Sequence, residues 1–241
     1  MRRGILILGL LAALPGFGSP SAFAQIQPQT QPPTQTTPGA PPPASFDAAA
    51  QPIDGVAARI EDGIITESEV RELGQFQMLV DGKSKSRAEL LRELTDQWMV
   101  RTEAIAAKYG EPPAADVDRA YAEFVKQFPS PEEFQKRCAA AGLSEAAVRR
   151  MVAQQLYLSR FIDYRFRPSA QVTDEQVEAY YRDEFAPQLK ARNQPVPPLD
   201  DVDDTIREVL IQRAINDRAT KWMDENREHL QIDVISPGSG S

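Results

Sequence analysis

Side chains able to do chemistry are scarce in this sequence. It holds one histidine, His229, and one cysteine, Cys138. A single histidine cannot build a histidine-rich metal site, and a single thiol builds neither a thiolate cage nor an intramolecular disulfide. No glycine-rich phosphate loop occurs, and no serine lies in a strained strand-to-helix pattern that would pair it with His229. Cys138 falls in Gln135-Lys136-Arg137-Cys138-Ala139-Ala140, on an expected helix, and reads as a small buried apolar residue. The acidic pairs Glu132-Glu133, Asp200-Asp201 and Asp203-Asp204 read as helix starts favoured by the dipole, and His229 as a helix-end residue. These residues lead to no expectation of catalysis, of a cofactor or of a metal.

What the sequence has in surplus is apolar and aromatic surface. Val117, Ala120, Tyr121, Phe124, Val125 and Phe128 keep the i, i+3, i+4, i+7 spacing of one helical face. Further on, Val148, Val152 and Ile162 share one face of a long helix, while Tyr157, Phe161 and Tyr164 share roughly the opposite one. The last helix is also two-sided, with Val202, Ile206 and Val209 against Ile211, Ile215, Ala219 and Trp222. A helix apolar on two sides either lies centrally or offers one side to a ligand. The simpler expectation is that the second faces of these two helices pack on each other. The functional expectation is a polypeptide-binding groove lined by Tyr121, Phe124, Phe128, Phe134, Met151, Tyr157, Phe161 and Tyr164. Aromatic and methionine side chains suit such a task because they give large contact area and tolerate many shapes.

The elements that would position these side chains follow from start and stop signals. Val56 to Ile60 and Ile64-Ile65 flank Glu61-Asp62-Gly63, where Asp-Gly is expected to supply the positive backbone angles of a tight hairpin. Thr66 and Glu69 then form a capping box, as do Ser86 with Glu89 and Thr173 with Gln176. The helix from Ser86 carries Leu91, Leu94, Trp98, Ile105 and Tyr109, and Pro112-Pro113 stop it. Ser130-Pro131 and Ser144 start two more helices, and Gly142 ends the first of them. Pro168 marks a break, the helix from Thr173 carries Val177, Tyr180, Tyr181 and Phe185, and a last helix spans about Asp201 to His229. Gln231-Ile232-Asp233-Val234-Ile235 alternates as a strand. A lone terminal strand needs a partner, so the expected fold is mainly α, with the N-terminal hairpin and the C-terminal strand closing a small antiparallel sheet.

Residues 1–24 read as an export signal: Arg2 and Arg3, an apolar run from Ile5 to Leu14, and Ala22-Phe23-Ala24 before a cleavage expected at Gln25. The run is too short to span a bilayer, so no stable membrane insertion is expected, and export places the protein in the periplasm. Residues 25–52 are rich in Pro, Gln and Thr and read as a disordered tether; residues 54–235 form the folded domain, and 236–241 a flexible tail. The chain has 27 basic and 35 acidic residues and a formal net charge of −8. An acidic chain with no basic run argues against nucleic acid and against anionic lipid surfaces.

The stretch Val56-Ala57-Ala58-Arg59-Ile60-Glu61-Asp62-Gly63-Ile64-Ile65-Thr66-Glu67-Ser68-Glu69-Val70 resembles the opening of the SurA and PrsA foldase family. Val172 to Tyr181 resembles the family helix that leaves the chaperone body, and Ile206 to Trp222 with Ile232 to Ile235 the returning helix and strand. In family members with a parvulin isomerase domain, that domain lies between those two helices. Here only 15 residues separate Phe185 from Asp201. They reach at most roughly 50 Å and cannot hold a domain. The resemblance therefore implies an ATP-independent holdase for unfolded exported or outer-membrane proteins, without isomerase activity. A scaffold for one folded envelope partner is the second expectation, and a prolyl isomerase the third and least favoured.

Overall fold

The computed structural model of the protein describes residues 54–236. Residues 1–53, which include the expected export signal and the expected tether, and residues 237–241 lie outside the described residues. Three antiparallel strands, β1 (Val56–Ile60), β2 (Gly63–Thr66) and β3 (Ile232–Val234), form one sheet in the order β2-β1-β3. Arg59 stands opposite both Ile64 and Asp233, and Ile60 opposite both Gly63 and Ile232. The two ends of the domain therefore meet, as the lone terminal strand required. The hairpin differs from expectation in one respect: Glu61, not Asp62-Gly63, takes the left-handed backbone (φ 49). Gly63 is needed for space, because a Cβ there would lie 2.5 Å from Trp98 Nε1. Ala58, Ile60 and Ile65 face a core with Val70, Leu73, Leu90 and Leu91, while Arg59, Ile64 and Asp233 face away.

The helices begin where side-chain caps are available. Thr66 with Glu69 opens α1 (Glu67–Asp81), and Ser86 with Glu89 opens α2 (Arg87–Ala106). Pro113 precedes α3 (Ala114–Val125) without a side-chain cap. Ser130 caps α4 (Pro131–Ala141), and Ser144 caps α5 (Glu145–Phe166). Thr173 with Gln176 opens α6 (Asp174–Tyr180). In each capped case the hydroxyl accepts an amide that the first helical turn leaves without a partner. α3 stops at Val125, and Phe128 sits in the turn beyond it, its amide donating to Val125 O (3.1 Å).

Two boundaries depart from the sequence reading. The helix expected to carry Val177, Tyr180, Tyr181 and Phe185 is not α-helical throughout, since α6 ends at Tyr180. A π turn (Tyr181–Phe185) joins α6 to α7 (Ala186–Ala191), and the Ala186 amide donates to Tyr181 O. The wider turn fits Pro187, which has no amide to give and would crowd an ordinary α turn. The last helix, α8 (Asp203–Arg227), is shorter at both ends than Asp201 to His229 and has no side-chain cap at Val202. Between Phe185 and Asp201 the chain holds only α7, a loop and a 3-10 turn.

α5 is the spine. Its first half, with Val148 and Val152, packs on Phe76 and Leu79 of α1, Phe124 of α3 and Phe134 of α4. Its second half, with Leu158, Phe161 and Ile162, packs on Met99 and Val100 of α2 and on Ile215, Ala219 and Met223 of α8. α5 is two-sided because it lies centrally; α8 packs on α5 through Ile215, Ala219 and Met223, while on its other face Ile206 is buried and Val209 reaches solvent. Each fully buried large apolar side chain here contributes on the order of 2 kcal/mol. Among the described residues, no helix is long and apolar enough to cross a membrane.

Candidate functional site

The eight side chains expected to line one groove fall into two aromatic clusters on opposite halves of α5. The first is closed. Phe124 and Phe134 are buried, with ring centroids 6.2 Å apart, and Phe76 stacks on Phe124 at 5.6 Å. Phe128, Tyr121 and Met151 are half-buried against them. The Arg137 guanidinium covers Phe128 and that of Arg149 covers Tyr121, each 5.6 Å from the ring centroid. The Tyr121 hydroxyl is buried without a hydrogen-bond partner. Burial, reinforced by the neighbouring Glu145 carboxylate, pushes its phenol far above the ordinary range. This cluster is a core corner with arginine lids. Phe124 and Phe134 belong to the core because α1, α3, α4 and α5 converge there.

The second cluster reaches solvent. Tyr157, Phe161 and Tyr164 are brought together on α5 as their spacing required, and Tyr109 completes the group. Its ring lies 5.9 Å from Tyr157, 5.5 Å from Phe161 and 5.2 Å from Tyr164. Phe161 is buried, Tyr157 and Tyr109 are half-buried, and Tyr164 is 63% exposed. By its spacing Tyr109 continues the apolar stripe of α2. In fact it lies beyond the helix end. Lys108 takes the left-handed backbone (φ 53), its amide donates to Ile105 O and that of Tyr109 to Ala104 O, both 2.9 Å. This reversal lays Tyr109 across α5, where Tyr157 Oη donates to Tyr109 O (3.2 Å). Burial pushes the Tyr109 phenol up. At the margin, Arg160 donates to Asp116 (2.7 Å), and that bond with its charge holds the Asp116 carboxyl below the usual range. Ile105, also placed on the stripe, points to solvent at 65% exposure.

The large apolar side chains that reach solvent among the described residues are Ile64, Met78, Ile105, Tyr164, Val209, Ile232 and Val234. Apart from Ile232 and Val234, which share β3, they stand on different elements. A cavity of about 50 Å³ between α1, α2 and α5, where Met151 meets Gln97, Gln154, Glu69 and Glu72, is too small for a large aromatic side chain. Cys138 is buried, and burial raises its thiol. The sequence reading missed a second exposed apolar feature: β3 is an edge strand, with Ile232 and Val234 partly uncovered on the core side of the sheet. The signal for it was present, since a terminal strand pairing with one hairpin has a neighbour on one side only. Compared with known protein families and with curated proteins, the chain matches no family model and no curated sequence.

Proposed function

We propose that this protein is an exported, ATP-independent holdase that binds unfolded polypeptides in extended form and works in the periplasm. The observation that carries the reading is the Tyr109–Tyr157–Phe161–Tyr164 patch. It is a preassembled, partly exposed aromatic surface on α5, the helix that two of the core clusters share. Tyrosine rings give contact area at low entropic cost. The acidic balance of the chain favours solubility while clients are held. The resemblance to the SurA and PrsA foldase family supports the same reading through the order of its elements: a hairpin into a capped helix, an outgoing helix from Thr173, a returning α8 and a final strand. The direct connection from α7 to α8 supports a body that holds chains without isomerising prolines.

The test is light scattering of an unfolded exported protein diluted into buffer. Stoichiometric amounts of the mature chain are expected to suppress aggregation. Tyr164→Ser, an exposed position, is expected to leave stability within about 0.5 kcal/mol. It is also expected to weaken suppression about fivefold, as loss of one contact tyrosine does. No suppression at several-fold excess, or capture of a single folded partner without affinity for unfolded chains, would overturn the reading in favour of a scaffold. Proline turnover in a short peptide is expected to stay at the background rate.

A further inference from the structure

We infer that the free edge of β3 takes up an extended segment whose residues alternate apolar, basic, apolar. The inference rests on the reading of the protein as a holder of extended chains, and adds to it a second site with a sequence preference. The ladder between β1 and β3 fixes which backbone groups are unused. The Glu61 amide donates to Gln231 O (3.1 Å) and the Ile235 amide to Ala57 O (3.0 Å). By the alternation of an antiparallel pair, residues 231, 233 and 235 turn their backbone groups toward β1, and Ile232 and Val234 turn theirs away from the sheet. Each presents one amide and one carbonyl along an edge that no other strand covers among the described residues. The far edge of β2 offers less, because the Thr66 amide already donates to the Glu69 carboxylate (2.8 Å) and the chain turns at once into α1.

Side chains on the edge define what fits. Ile232 and Val234 are 37% and 53% exposed, on the same face as the buried Ile60 and Ala58 opposite them. A strand added at this edge would set apolar side chains beside both and extend the core by one strand. The residue between those two would stand beside Asp233 on the outer face. Asp233 is 72% exposed and pairs with Arg59 only at 3.7 Å, so its charge is open to a lysine or arginine. The same charge argues against a second copy of this chain as the occupant. In the register that sets Ile232 against Val234, two β3 strands paired about a two-fold axis would place Asp233 against Asp233, between chains that each carry a net negative charge.

Fluorescence anisotropy with the mature chain tests this, using labelled peptides with a valine–lysine–valine core in a glycine–serine frame. The expected result is binding that weakens about fivefold for valine–aspartate–valine, where an attractive cross-strand pair becomes a repulsive one. It is lost when the amides of the two valines are methylated. Val234→Pro, which removes an outward amide and no bond to β1, is expected to abolish binding with the fold intact by circular dichroism. Equal binding of the lysine, aspartate and methylated peptides would overturn the proposal, as would a dimer in sedimentation that the peptide does not dissociate. Light scattering on the same samples separates the two readings. Aggregation suppression that survives Val234→Pro, with no lysine preference in the peptides, removes the edge site and leaves the holdase. Lysine-selective peptide binding without suppression keeps the edge site and removes the holdase.

Discussion

Gly63 shows how a residue can be read correctly as special and for the wrong reason. Beside Asp62 it looked like the positive-φ half of a hairpin turn, yet Glu61 takes that conformation and Gly63 makes room for the Trp98 indole. The need comes from a distant helix, which no local pattern reveals. Gly63→Ala is expected to destabilise the domain by about 1–3 kcal/mol in urea unfolding, because the indole or the hairpin must shift. Lys108 is the converse, a side chain in a position that suits glycine. Lys108→Gly is expected to raise stability by about 1 kcal/mol, by relief of the left-handed strain. A fall in the urea midpoint would contradict that account of the turn. The caps at Thr66, Ser86, Ser130, Ser144 and Thr173 were legible because their chemistry is confined to four consecutive residues. Burial of Phe124 and Phe134 was not, because periodicity marks an apolar face without saying what covers it.

Among the elements, the arm from α6 to α7 is held differently from the rest. Buried apolar side chains on it are Val177 and Ala186, and none belongs to the three main core clusters. Arginines do much of the fastening. Arg207 of α8 donates to Asp174 (2.8 Å) and to Val172 O (3.2 Å), and Arg213 bonds Glu184 at 3.0 Å and lies over the Tyr180 ring. Tyr181 Oη donates to Pro197 O (2.7 Å), closing the loop that leads to α8. These ion pairs are partly exposed and each is worth roughly 1 kcal/mol or less, weakened further by salt. Changing Arg207 and Arg213 together to alanine is expected to raise hydrogen exchange across 174–191 while α5 and the sheet keep their protection. A uniform rise over the whole domain would contradict a separately fastened arm. The start of this arm was legible from its capping box. Its continuation through the π turn was not, because Pro187 reads as a stop wherever the preceding turn is assumed to be α-helical.

At the scale of the molecule, a central α5 and a sheet built from both ends of the described domain hold the body together, and its charges set how it responds to acid. Hydrogen bonds from Arg160 and Arg167 hold Asp116 and Glu208 below the usual carboxylate range. A depressed carboxyl contributes stability above its unfolded-state pKa and loses it as pH falls through the folded-state value. Asp96 works in the opposite direction. Burial raises it despite its bond from Arg227, whose own pKa is raised because Asp96 and Asp224 both accept from it. The lowered carboxyls outnumber the raised one, so the urea midpoint is expected to fall between about pH 4 and pH 2. Asp116→Asn should flatten that fall, and an unchanged slope would show that the Arg160 bond contributes nothing. The mainly α fold and its closing sheet were readable in advance, since each rests on patterns within one element and on a terminal strand that needed a partner. The division of the aromatic residues into a sealed cluster and an open one was not, because it depends on how α1, α3 and α4 close over half of α5.

The most direct measurement is an amide chemical-shift map of the mature chain titrated with an unfolded exported polypeptide. The largest changes are predicted on Tyr109, on α5 from Tyr157 to Tyr164 and along β3, with the corner around Phe124 and Phe134 unmoved. A spectrum that stays unchanged at several-fold excess of the polypeptide, or changes confined to that corner, would contradict the account.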